Sequence, residues 1–152
     1  MRHIAPALLL ILSAGPAPAV GVPSLPKEIN DVRWNVSSTV FGDFTCQGRK
    51  DIAMYGTSEK SGFVVMIQSA QKNTKPSYLV FSTRDRDPKN LRLIVESLDF
   101  SNDAAFKEEL KYSAPDLQPS KTCKGLGLGD GETDAQHIYW NRSRKRFESW
   151  SL

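Results

Sequence analysis

Few residues in this chain have chemistry in them. His137 is the one histidine beyond position 3, and Cys46 and Cys123 are the only cysteines. A lone imidazole excludes sites built on two histidines, including most catalytic zinc centres. A serine–histidine–acid triad stays formally open because serine is abundant, but no Gly-x-Ser-x-Gly elbow supports it. Beside Tyr139 and Trp140, His137 reads as a partly buried packing residue. The cysteines form no Cys-x-x-Cys pair, which argues against a thiol enzyme. An even count in an exported chain favours a bond between them. In the chain-entropy picture closing the loop of 78 residues from Cys46 to Cys123 contributes on the order of 4 kcal/mol.

Three other groupings have two readings each. Gly125-Leu-Gly-Leu-Gly-Asp-Gly131 looks superficially like a phosphate loop, yet it lacks the Gly-Lys-Ser/Thr ending and a helix behind it. It is expected to be a flexible loop. Arg142, Arg144, Lys145 and Arg146 gather at a hairpin tip and read as a solvated turn, with a polyanion site as the alternative. Trp34, Tyr139, Trp140 and Trp150 lie toward the two ends of the chain. Together with His137 they are the candidate binding surface, because aromatics anchor many interfaces; packing in a core is the simpler reading.

Residues 43–53, Asp-Phe-Thr-Cys-Gln-Gly-Arg-Lys-Asp-Ile-Ala, resemble the calcium-loop signature of FG-GAP and VCBS-type repeats, Asp-x-Asn-x-Asp-Gly-x-x-Asp before an apolar strand. Asp43, Gly48 and Asp51 fall on the first Asp, the Gly and the last Asp. Thr45 replaces the Asn and Gln47 the middle Asp. In such loops oxygens at alternate positions turn inward toward a hard cation, and the glycine supplies the bend. The resemblance implies Asp43, Thr45, Gln47 and Asp51 as the metal set and calcium as the only cofactor. Asp130 and Asp134, from a second acidic loop, would join them if the disulfide draws the two loops together. Losing one carboxylate weakens the field at the ion, so a metal-free turn is expected, with a bonded Cys46 clamping the loop in the metal's place. One copy excludes a propeller, whose units must stack. The layout resembles small exported bacterial proteins carrying a single Gly-Asp-Phe-x-x-x-Gly-x-x-Asp motif.

The elements that must position these residues follow from periodicity. Arg2 and His3, an apolar run over 7–14 and Ala17-Pro18-Ala19 read as a cleavable signal peptide at 1–19. The run is too short to span a bilayer, and no transmembrane segment is expected. One globular domain then fills 20–152. The chain holds 20 Lys and Arg against 17 Asp and Glu. Loss of Arg2 with the leader trims that excess further, too balanced for a nucleic-acid partner.

Strands are predicted over 52–55, 63–69, 78–82, 91–98, 137–140 and 147–150, the last two joined by a turn at 141–145. A helix is predicted over 104–111, capped within 101–103, with Phe106 and Leu110 on one buried face. A short helical turn is expected at 27–31. The pattern predicts an α+β domain, an antiparallel sheet of about six strands with one or two short helices; an all-β sandwich is the alternative.

The functional expectation is a periplasmic or secreted, non-enzymatic domain that binds or inhibits another macromolecule, a protein or an envelope component. A calcium-dependent binding module and a small hydrolase are the alternatives. Asn35 and Asn141 head glycosylation sequons, which matter only in a eukaryotic source.

Overall fold

The structure is a computed structural model and describes residues 30–82, 89–131 and 134–151. The expected signal peptide lies outside the described residues, as does most of the expected turn at 27–31.

Among the described residues nine strands form two antiparallel sheets. The first holds β1 (Arg33–Trp34), β2 (Val40–Gly42), β3 (Asp51–Ser58), β4 (Gly62–Gln68) and β5 (Ser77–Phe81). β1 and β2 both pair with β3, and a single 3-10 turn over Val36–Ser38 separates them. The second sheet holds β6 (Arg92–Ser97), β7 (Lys124–Gly129), β8 (Gln136–Asn141) and β9 (Arg146–Trp150), in that spatial order. One helix, α1 (Ala104–Ser113), lies in the connection from β6 to β7. Asp103 caps it by accepting the Phe106 N–H at 2.9 Å.

The fold is therefore β-rich, with more strands than six. The six expected strands correspond to β3, β4, β5, β6, β8 and β9. The others carry weak local signals. β1 and β2 are two and three residues long. β7 is the glycine run that reads as a loop, because glycine lacks the branched side chains that mark a strand. Its leucines alternate with its glycines, however, and that period of two is what a strand requires.

Alternation also explains the layers. Phe44, Ala53, Tyr55, Phe63, Val65 and Ile67 from the first sheet side meet Leu91, Leu93, Leu126, Leu128 and Ile138 from the second, in one shared core. The Tyr55 hydroxyl crosses between the sheets and donates to the Leu91 carbonyl at 2.9 Å. The opposite face of the second sheet carries Tyr139 and Trp150, which pack with Leu98, Phe100, Leu110 and Leu117 in a second cluster under α1. The Cys46–Cys123 disulfide packs with this second cluster and ties the loop before β3 to the residue before β7.

Candidate functional site

The register of the second sheet builds a site that no local pattern announces. On its outer face Glu96 pairs with Gly125, and Ile94 with Gly127. Gly127 also pairs with His137, and His137 with Trp150. Glu96 and His137 are thus diagonal neighbours on either side of a bare strand. The Glu96 carboxylate crosses that strand, and both its oxygens reach His137 Nδ1, at 3.0 and 2.9 Å. A Cβ on Gly127 would collide with Glu96 Oε1, so the glycine is what leaves room for the crossing. From the far side, the Trp150 indole stacks on the imidazole, with centroids 4.2 Å apart and planes 19° apart.

An Nδ1–H donated to a carboxylate fixes the ring's orientation and leaves Nε2 as the acceptor of the neutral ring. Both partners are mostly buried, at 21% and 22% side-chain exposure. A lowered local dielectric strengthens such a pair.

Two clefts flank the pair. One, of about 300 Å³, lies against α1, with Glu96 and His137 on its wall beside Phe100, Phe106, Tyr139 and Trp150. The other, of about 330 Å³, has a floor of Gly127, Gly129 and Gly131 between Arg92, Ile94 and Ala135. Ile94 is half exposed beside it.

The loop before β3 uses its carboxylates differently from a metal loop. Asp51 is fully buried. Its Oδ2 accepts the Thr45 N–H and hydroxyl, both at 2.8 Å, and its Oδ1 accepts the Ala70 N–H at 2.8 Å. Asp43 accepts the N–H groups of Gln47 at 2.8 Å and Gly48 at 2.9 Å. The Asp43 carbonyl accepts the Lys124 N–H at 3.0 Å, beside the disulfide. Cys46 and Gly48 both take left-handed backbone, at φ 58° and 71°. The Gln47 side chain is exposed.

Asp130 lies at the other end of β7 from Lys124, about 20 Å away along an extended strand, and Asp134 is exposed beyond it. The disulfide therefore brings Asp43 to the start of β7 and not to the second acidic loop. Among the described residues no three His, Cys, Asp or Glu side chains gather as a metal cluster.

The β8–β9 turn is braced from below by Asn141, which is fully buried. Its Oδ1 accepts the Ser143 N–H at 3.1 Å, the Ser143 hydroxyl at 2.7 Å and the Arg144 N–H at 3.0 Å. Its Nδ2 donates to Asp116 at 3.1 Å and Glu148 at 2.8 Å. Glu148 also pairs with Arg144 at 3.0 Å and Arg146 at 2.8 Å. The Asn141 bond above all, with Arg146 and Arg144, holds the Glu148 carboxyl down at about 2. Burial, then the Glu148 charge, pushes the Tyr139 hydroxyl up to about 12. An amide so engaged is no glycan acceptor in the folded chain. Asn35 Nδ2, in the other sequon, donates to the Tyr55 hydroxyl at 2.8 Å.

Of the candidate binding-surface residues, His137, Tyr139 and Trp150 share the outer face of the second sheet. Trp140 alternates to the other face and packs edge-on against Phe147, 4.9 Å between centroids. Trp34 is on the first sheet, near Tyr78. Sequence reasoning missed Glu96 and Gly127. The alternation of Arg92, Ile94 and Glu96 with leucine and valine places Glu96 on an outer face, but only the pairing register finds its partner. No protein-family model, curated protein or solved structure matches the chain.

Proposed function

We propose that this is an exported, non-enzymatic domain that binds another macromolecule through the outer face of its second sheet. One observation carries the reading: a braced carboxylate–imidazole pair stands between two clefts on a sheet face whose middle strand is bare. Contacts there meet rigid backbone and an oriented hydrogen-bonding group, so little ordering is needed on binding. The disulfide supports an oxidising compartment, where such bonds persist. No helix among the described residues is long and apolar enough to cross a membrane.

The test is capture from envelope extract on the immobilised protein, comparing wild type with Ile94→Asp, His137→Ala and, as control, Tyr112→Ala on the exposed side of α1. A partner retained by wild type and the control, and lost with the two face variants, supports the reading. A partner insensitive to both face variants, or none at all, overturns it.

The same pair favours a second reading, general-base hydrolysis, because carboxylate bracing is what a catalytic imidazole needs. Among the described residues no serine or threonine hydroxyl is hydrogen-bonded to His137, so this reading requires an attacking water. Hydrolysis of an activated aryl ester that persists unchanged in His137→Ala removes it.

A further inference from the structure

We infer that the β8–β9 tip is a preformed basic contact that seats against carboxylates of a protein partner. The inference rests on the binding reading above and names a chemistry for that partner. Its basis is the division of labour among four neighbouring cations. Arg144 pairs with Asp116 at 3.2 Å and with Glu148, and Arg146 pairs with Glu148. These two brace the turn. Arg142 and Lys145 are exposed and pair with none of the described residues.

Two features make the free pair more than a solvated turn. First, the turn is locked: Asn141 accepts three hydrogen bonds from its backbone and Ser143 side chain while anchored to Asp116 and Glu148. A turn locked in this way loses little entropy when it docks. Second, Lys145 adopts φ 51°. Glycine takes that conformation without steric cost, whereas a residue with a Cβ is strained there. The turn thus carries a charged side chain where the backbone alone would favour none.

A protein carboxylate fits better than a polyanion. Two free cations fall well short of the roughly six to ten phosphate contacts that bind nucleic acid strongly. Discrete carboxylates can meet Arg142 in a paired, directional geometry and Lys145 as a point charge. The tip extends from the strands that carry His137 and Trp150, about 13 Å along β8 from His137. One partner can therefore touch both.

The test uses the disulfide-bonded protein and the purified partner recovered with it, titrated at low and raised salt. The expected result is about a tenfold or greater loss of affinity for Arg142→Glu/Lys145→Glu, most of it in the association rate and largest at low salt. Arg142→Lys/Lys145→Arg keeps both charges and should keep the fast, salt-sensitive association, losing affinity only through the paired contact at Arg142 and by less than the charge-reversed variant. An unchanged affinity in the charge-reversed variant, while Ile94→Asp still abolishes binding, overturns this inference and leaves the binding reading standing. Heparin, duplex DNA and phosphatidylglycerol vesicles serve as rival probes. Binding to one of these that is lost on charge reversal, with the protein partner unaffected, assigns the tip to a polyanion and also overturns the inference. Loss of partner binding in neither variant overturns both.

Discussion

Gly127 and Glu96 are complementary: the strand between β6 and β8 has no side chain at the one place where the Glu96 carboxylate crosses it to reach His137. The imidazole's orientation therefore depends on an absent methyl group on the neighbouring strand β7, directly opposite His137 in the register.

Gly127→Ala tests that dependence. The colliding atoms belong to the mobile end of Glu96, so the side chain can swing aside and the fold survives. Stability is expected to fall by about 1–2 kcal/mol at most. The His137 ring should lose its fixed tautomer, read by nitrogen chemical shifts of the imidazole. A variant with wild-type imidazole shifts would show that Glu96 reaches His137 by another path.

Asp51→Ala is expected to cost far more, about 3–5 kcal/mol in urea unfolding. It strands the Thr45 and Ala70 N–H groups, which lose their acceptor in or near the core. A loss below 1 kcal/mol on the order-of-magnitude scale for surface changes would mean that water replaces the carboxylate.

A cation at this loop would compete with five N–H and O–H donors already held by Asp43 and Asp51. Added calcium is therefore expected to leave the melting temperature unmoved. A rise of several degrees, absent in Asp43→Ala, would instead establish calcium binding.

Replacing Cys46 and Cys123 by serine should lower stability by about 4 kcal/mol in the chain-entropy picture, since the bond spans a separation of 77 residues. Matched unfolding curves of oxidised and reduced wild type provide the check. Coincident curves would contradict a stabilising role.

Glu148 and Tyr139 set opposite pH limits. The Glu148 carboxyl is depressed from 4.5 to about 2 in the fold. Its contribution is present above pH 4.5 and is lost as pH falls from 4.5 toward 2. The Tyr139 hydroxyl is raised from 10.0 to about 12. Its contribution is complete below pH 10 and is lost as pH rises from 10 toward 12. Urea midpoints across both windows should show both declines, and Glu148→Gln should flatten the acid one. An acid decline of equal size in that variant would place it on other carboxylates.

Much of the framework was legible because it is local. The branched and aromatic runs of β3, β4 and β5 announce themselves, as do the Asp103 cap and the Phe106–Leu110 spacing of α1. The Arg142–Lys145 turn is legible for the same reason. Cysteine parity pointed to the Cys46–Cys123 bond without any geometry. The likeness of residues 43–53 to a metal loop was visible too, but not what its carboxylates bind. Asp51 finds Ala70 across a hairpin, and that contact exists only once β3 and β4 pair.

What the sequence determined by itself, then, is the six strands with branched or aromatic runs, the helix over Ala104–Ser113 and the covalent tie. Each follows from forces between residues a few positions apart, or from the small number of thiols. The tertiary structure alone decided which outer faces meet. A strand's register fixes which residue lies diagonal to which, and a shift of one position turns every side chain to the other face. Glu96, Gly127, His137 and Trp150 come from four strands, and only their shared register makes them one site.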